Sequence, residues 1–405
     1  MEFGKAMLAE WSFEPGTTYL NHGTVGVTPR RIMAVQQAIR DEIERHPSRV
    51  MLRELAVTSF GRPVDGPPRL RAAADEVAAF LGARGEDLVF VDNITTGANS
   101  VLRSFPLSAG DEILVSGLVY GGVLRAALYA ARERGATVRT VEMPYPFRAE
   151  RLVEAYAAAV GPRTRLAIVE HVTAQTAVVF PLRETAARLR ARGVMVLADG
   201  AHAPGSIPVD IPSLGVDYYT ANLHKWAWVP RSSAILWAAP DRQKELRPAV
   251  ISWGLDQGFK AEFDMIGTKD PSTHLSAPAA IALMHEWGGP EAIQTYNHDL
   301  AWTGAHRLAE RWQTTFDVPE AMVGTMATVP LPESAGSSPA EAMALRDALL
   351  FEDGIEVQMH AYRGRVWARI SAQIYNAMED IDRLAAAVSR RVGAGAPREI
   401  VPGAR

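Results

Sequence analysis

The stretch Val194-Met195-Val196-Leu197-Ala198-Asp199-Gly200-Ala201-His202 constrains this chain more than any other part of it. An unbroken apolar run of strand length is what a central strand of a parallel sheet requires when helices cover both its faces. Asp199 closes the run, so a carboxylate stands at a strand's carboxyl end, the edge at which open α/β sheets bind ligands. A second β-rich stretch, Tyr218-Tyr219-Thr220-Ala221-Asn222-Leu223-His224-Lys225-Trp226, brings an amine to the same edge.

Around these two stretches strand and helix alternate. Strands are expected at 88–91, 112–116, 137–141, 165–171 and 232–237, with helices near 29–45, 69–81, 122–134, 149–160 and 182–192. Repeated βαβ units imply a mainly parallel sheet with right-handed crossovers, sandwiched by helices. Between residues 287 and 301 the character changes. A long helix at 290–314, a Pro/Ser/Gly-rich stretch at 330–339, a helix at 340–351, strands near 355–357 and 366–370 and a helix at 378–392 read as a smaller α+β domain at the C-terminal side. The expected division is an N-terminal arm (1–20) packing on the small domain, a large α/β domain (21–290), the small domain (291–392) and a flexible tail (393–405) rich in Gly, Pro and Ala.

A chain of 405 residues has room for this arrangement. Its net charge of −4 gives no reason to expect nucleic acid or an anionic membrane as partner, and no apolar stretch is long enough to span a bilayer. It has no cysteine, which excludes disulfides, thiolate metal sites and thiol nucleophiles and is compatible with a cytoplasmic location.

An amine and a carboxylate at one sheet edge also describe a buried ion pair. The chemical alternative is specific. A desolvated lysine forms a Schiff base with an aldehyde, and a carboxylate keeps a pyridine nitrogen protonated; these are the two protein groups that pyridoxal phosphate needs most. Such a cofactor also needs a phosphate seat. Asn93-Ile94-Thr95-Thr96-Gly97 follows a strand and opens a helix, offering backbone N–H groups and hydroxyls at the positive helix end. Ordinary capping uses the same residue types. Asn21-His22-Gly23-Thr24-Val25-Gly26 is a second turn-rich stretch before a helix, either a loop or a place where backbone approaches a ligand.

With these pieces in one sheet, the chain resembles the class V aminotransferases of the fold-type I pyridoxal phosphate enzymes, and among them the isopenicillin N epimerase-like group. Tyr19-Leu20-Asn21-His22-Gly23, Asp199-Gly200-Ala201-His202-Ala203-Pro204-Gly205, His224-Lys225-Trp226, and Arg369-Ile370-Ser371-Ala372 followed by Tyr375-Asn376 carry the resemblance, which spans nearly the whole chain. It implies that Lys225 holds the cofactor as a Schiff base and moves protons at the substrate Cα, that Asp199 pairs with the pyridinium nitrogen and that His202 partners the ring hydroxyl. It further implies that Tyr120 stacks on the ring, that Ile94, Thr95, Asn222 and His224 hold the phosphate, and that Thr173 is a cofactor-binding position. Thr268 lies where relatives lend a residue to the neighbouring subunit's phosphate, implying a homodimer with a shared active site. Arg369 matches the arginine that grips the substrate α-carboxylate by two parallel hydrogen bonds, with Asn21 and His22 as further substrate-binding candidates. No metal is expected, because the histidine spacing lacks a zinc signature.

The resemblance leaves the reaction open, since one cofactor supports several and the outcome depends on which Cα bond is aligned with its ring. The family's cysteine desulfurases use a mobile cysteine where this chain has His360-Ala361-Tyr362-Arg363-Gly364, which argues against persulfide formation. Three readings remain: epimerisation of an amino acid, with His22 as the candidate second acid; C–S β-elimination from an S-conjugated cysteine; and transamination. A catalytically silent binding module is the non-enzymatic alternative, against which the intact Lys225 and Asp199 speak. The substrate side chain would meet loops 45–60 and 252–264, where Trp253 and Phe259 either line a pocket or pack.

Overall fold

The computed structural model describes residues 2–57 and 65–393. The end of the 45–60 loop, and the tail beyond Gly393, lie outside the described residues. After a short strand β1 (Thr18–Tyr19) the chain lays down seven strands of one sheet: β2 (Leu88–Val91), β3 (Glu112–Ser116), β4 (Thr137–Val141), β5 (Thr164–Glu170), β6 (Met195–Asp199), β7 (Tyr218–Asn222) and β8 (Ala234–Ala238). Their order is β2-β8-β7-β6-β5-β3-β4. The strands β4, β3, β5, β6 and β7 pair in parallel, and β8 enters antiparallel between β7 and β2.

The apolar runs become central strands because both faces are covered. Ile168 and Leu197 pack with Leu102 and Ala127 of the helices Ile94–Ser104 and Gly121–Glu133. Val169 and Val196 pack on the other side with Leu152 and Leu189 of the helices Ala149–Ala159 and Leu182–Arg190. Each such side chain contributes about 1.5–3 kcal/mol on burial, so a polar residue within these runs would be costly and one at their ends is not. The helix carrying Thr95 is drawn against β7 at Gly97, where a Cβ would meet Thr220 Oγ1 at 2.1 Å.

Beyond the long helix Pro290–Trp312 come β9 (Met326–Pro330), β10 (Ile355–Glu356), β11 (Gln358–Tyr362) and β12 (Arg365–Ser371). An antiparallel sheet β11-β12-β9 forms, with its own core cluster around Leu308, Val329, Ile370 and Leu384. The sequence reading lacked β9 and β11. The first runs straight into a proline, and the second mixes Gln, His and Tyr with apolar residues, so neither alternates cleanly. The segment 47–54, read as part of a loop, is the short helix Pro47–Arg49 continuing into the π-helical turn Val50–Glu54.

The first residues of the chain bind its last strands. β1 pairs in parallel with β10, Asn21 bridges Ser371, and Trp11 sits among Trp228, Trp287 and Tyr375 with ring centroids 6.0, 5.5 and 4.8 Å away. Aromatic pairs of this kind contribute about 0.5–1.5 kcal/mol beyond the area they bury.

Candidate active site

A cavity of about 700 Å³ opens at the carboxyl ends of β5, β6 and β7, lined by Asp199, His202, Lys225, Glu170, Tyr120, Thr95 and Arg369 among others. Asp199, the last residue of β6, is 4% exposed and accepts the Ala201 N–H at 2.9 Å. β7 stops at Asn222, and the turn after it carries Lys225 into the cleft, where Nζ lies 3.1 Å from His202 Nε2. The amino-terminal segment lies against this turn. Gly26 has φ 68°, and a Cβ there would stand 1.8 Å from the His224 carbonyl oxygen, so only glycine permits the approach.

Burial sets the charge states. It lowers the Lys225 amine to about 7, helped by the positive Arg369 and opposed by Asp199. It holds His202 well below its ordinary value, with Lys225 acting in the same direction, so the imidazole is neutral and its Nδ1 has no partner. Burial also raises Asp199, against the Ala201 N–H and the Lys225 charge. A near-neutral amine beside a neutral imidazole is a base available at physiological pH.

The helix Ile94–Ser104 points its N-terminus at the cleft. Asn93 caps it by accepting the Thr96 N–H at 3.0 Å, and Asn222 Oδ1 takes the Ile94 N–H at 3.1 Å. The Ile94 amide and the Asn222 carbonyl are therefore committed to each other, and Thr95 lines the cleft beside them in sequence. His224 donates from Nδ1 to the Ser233 carbonyl at 2.9 Å, which leaves Nε2 free. Tyr120 caps the next helix and is 48% exposed in the cleft.

Arg369, on the central strand β12, is 4% exposed. It donates to the Ala174 carbonyl, to Thr24 Oγ1 at 2.7 Å and to Asn21 Oδ1 at 3.2 Å, while Nε is without a partner. Burial lowers it to about 10, so it stays charged.

Three expected site residues are placed elsewhere. Asn21 does not line the cleft; its amide donates to Glu356 at 2.8 Å and its oxygen holds Arg369, so it orients the arginine. His22 is fully buried, with Nδ1 3.0 Å from the Tyr375 hydroxyl and Nε2 3.0 Å from the Lys225 carbonyl. Both ring nitrogens are spent and burial lowers the ring to about 4, so the expected second acid is a strut beneath the lysine turn. Thr173 is also fully buried. Its hydroxyl closes a local turn with Thr176 at 2.8 Å and the Val178 N–H at 2.8 Å, leaving the cleft wall to Val172, Ala174 and Gln175. Thr268 lines a separate cavity with Leu52 and Trp253.

Glu170 and His360 are two of the buried polar residues that were not singled out from the sequence. Glu170 ends β5 as Asp199 ends β6, and the same signal, an apolar run closing in a carboxylate, would have found it. His360 on β11 is 6% exposed, has both ring nitrogens without partners, and is lowered to about 4 by burial and by Arg369. Among the described residues there is no group of three or more metal-ligating side chains, and no helix is long and apolar enough to cross a membrane.

The family model for Aminotransferase class-V matches residues 68–384. The putative L-cysteine desulfhydrase 1 of Oryza sativa subsp. japonica is 31% identical over 418 residues, covering 94% of this chain and 84% of that protein. Isopenicillin N epimerase of Streptomyces clavuligerus is 31% identical over 399 residues, covering 94% of this chain and 96% of that one. The solved structure of the cystine C–S lyase C-DES with its product cysteine persulfide superposes with a TM-score of 0.74 at 22% identity, covering 93% of this chain and 98% of that one, a likeness of fold.

Proposed function

The chain belongs to the class V aminotransferase family of pyridoxal phosphate-dependent enzymes, and on that premise we propose that it is a C–S β-lyase acting on cysteine or an S-substituted cysteine. One observation carries the choice: the cleft offers Lys225 as a base near neutrality, while both nitrogens of His22, the candidate for a second acid, are engaged. Elimination needs one base and a leaving group on Cβ. Epimerisation needs a proton delivered from the other side of Cα.

The residues present fit the cofactor. A desolvated amine, a buried carboxylate, an imidazole with an unpartnered Nδ1, an exposed aromatic ring and a helix N-terminus line one cavity. Bound there, pyridoxal phosphate supplies an electron sink for the pair left at Cα. Lys225 would hold it covalently, Asp199 would face its ring nitrogen, His202 its hydroxyl and Tyr120 its ring face. Thr95, with the His224 and Asn222 side chains, would seat the phosphate at the helix end.

The chain's own residues then divide the work. Arg369, aimed by Thr24, Asn21 and Ala174, would grip the substrate carboxylate by two parallel bonds once Thr24 or Asn21 releases one Nη2 hydrogen. Lys225 Nζ removes the Cα proton, and the sulfur departs from Cβ carrying the electron pair of the broken bond. Thr268 would serve the partner subunit of a homodimer. The apolar exposure of Leu52 (42%), Val250 (55%), Ile251 (52%) and Trp253 (69%) supports that contact, because a patch of this kind on a monomer marks an interaction surface.

Epimerisation is the second reading, favoured by the similarity to isopenicillin N epimerase along nearly all of both chains. Incubation with L-cysteine and S-substituted cysteines in heavy water separates the two. The lyase reading expects pyruvate, ammonia and a thiol or sulfide. Recovery of inverted, Cα-deuterated substrate without pyruvate refutes it.

A further inference from the structure

β5 and β6 end alike. Their parallel register sets Glu170 directly opposite Asp199, with both side chains on one face of the sheet and both lining the cleft. The two carboxyls are 2% and 4% exposed. Side by side in a buried site, two such groups do not both stay ionised.

Their partners decide which one keeps the charge. Asp199 has a backbone N–H donor and feels the Lys225 charge. Glu170 Oε1 accepts only the Ser116 hydroxyl, at 2.7 Å, and Ser116 Oγ in turn accepts the Leu118 N–H at 3.1 Å. Glu170 Oε2 is buried without a partner, and among the described residues no basic side chain bonds to Glu170. The other titratable group near it, Tyr156 of the helix Ala149–Ala159, is neutral and donates to the Ile168 carbonyl at 2.6 Å. Burial, with Asp199 acting in the same direction, raises Glu170 to about 7 against the Ser116 hydroxyl.

We propose that Glu170 holds a proton on Oε2 beside the Asp199 anion and offers it as a hydrogen-bond donor to the molecule bound in the cleft. The pair then carries one negative charge instead of two, and the buried, unpartnered Oε2 gains a partner when the cleft fills. The inference rests on reading the cleft as the pyridoxal phosphate site.

Infrared spectra of the protein loaded with pyridoxal phosphate test it, comparing wild type with Glu170→Gln. The expected result is a protonated-carboxyl C=O band at pH 6 that is absent from the variant and titrates near neutrality. Asp199→Asn should move that titration to lower pH, because the neighbouring charge is gone. Glu170→Gln should bind pyridoxal phosphate within about threefold of wild type, since the amide is neutral and still a donor. The inference is overturned if cofactor-loaded wild type shows no band that the variant lacks, or if Glu170→Gln binds cofactor more than tenfold more weakly. A protein that shows the band and takes up no cofactor overturns the reading of the cleft and leaves the proton on Glu170.

Discussion

Replacing Arg369 by lysine keeps a positive charge in the cleft and, on the reading proposed above, removes the fork that would hold the substrate carboxylate. In the structure the guanidinium is 4% exposed and anchored on three sides, by the Ala174 carbonyl, Thr24 Oγ1 and Asn21 Oδ1. A carboxylate gripped by two parallel bonds receives about 1.5–3 kcal/mol from each. A lysine ammonium restores one of these as a point charge and fits the three anchors poorly. The expected loss is therefore about 2–4 kcal/mol, or roughly 30- to 900-fold in kcat/KM at 1.36 kcal/mol per factor of ten. Because the grip is made equally before and during reaction, the loss should fall on KM more than on kcat. Steady-state pyruvate formation from cysteine measures it, with the bound cofactor's visible absorbance as a check that the site is intact. A kcat/KM within threefold of wild type would show that the carboxylate is held elsewhere. An unchanged KM with a collapsed kcat would place Arg369 at the reacting atoms instead.

Two further outcomes follow from burial and exposure. In the cofactor-free protein, Lys225→Met should raise the melting temperature most at and below about pH 7, with the gain fading as pH rises towards 10.5. Below 7 the folded and unfolded states both carry the proton and the buried charge costs its full amount, while above 7 the folded amine is already neutral. A gain that grows with pH would mean that the amine is not desolvated. If the proposed homodimer forms, Trp253→Glu, 69% exposed beside the Thr268 cavity, should convert it to monomer by light scattering and weaken pyridoxal phosphate binding at least tenfold, the second effect reflecting loss of the partner's threonine. A dimer that persists with full cofactor affinity refutes the shared site.

The layered sheet was legible because its strands are apolar runs of the right length, and Asp199, Lys225 and Thr95 were legible because polar groups that end such runs collect at one edge. Asn21, His22 and Thr173 show where that reading stops. Asn21 and His22 are claimed by Glu356 and Tyr375, partners more than three hundred positions away that no local pattern announces. Thr173 is claimed by its own turn, and a threonine bonded to the residue three places on looks the same in sequence as one facing a ligand. β9 and β11 were missed because neither alternates; they are held by their places beside β12.

The pairing of β1 with β10, and the grip of Asn21 and Thr24 on Arg369, also bear on how the protein comes into being. A ribosome delivers the cradle first and the arginine only after most of the chain has emerged. Until that moment the early segment has no strand to lie beside, and on the proposed reading the half-made polypeptide has no arginine with which to seize a substrate carboxylate. On the proposed reading of Arg369, competence therefore waits for β12, and products truncated before it should be inert towards amino acids even where their parallel sheet has already formed.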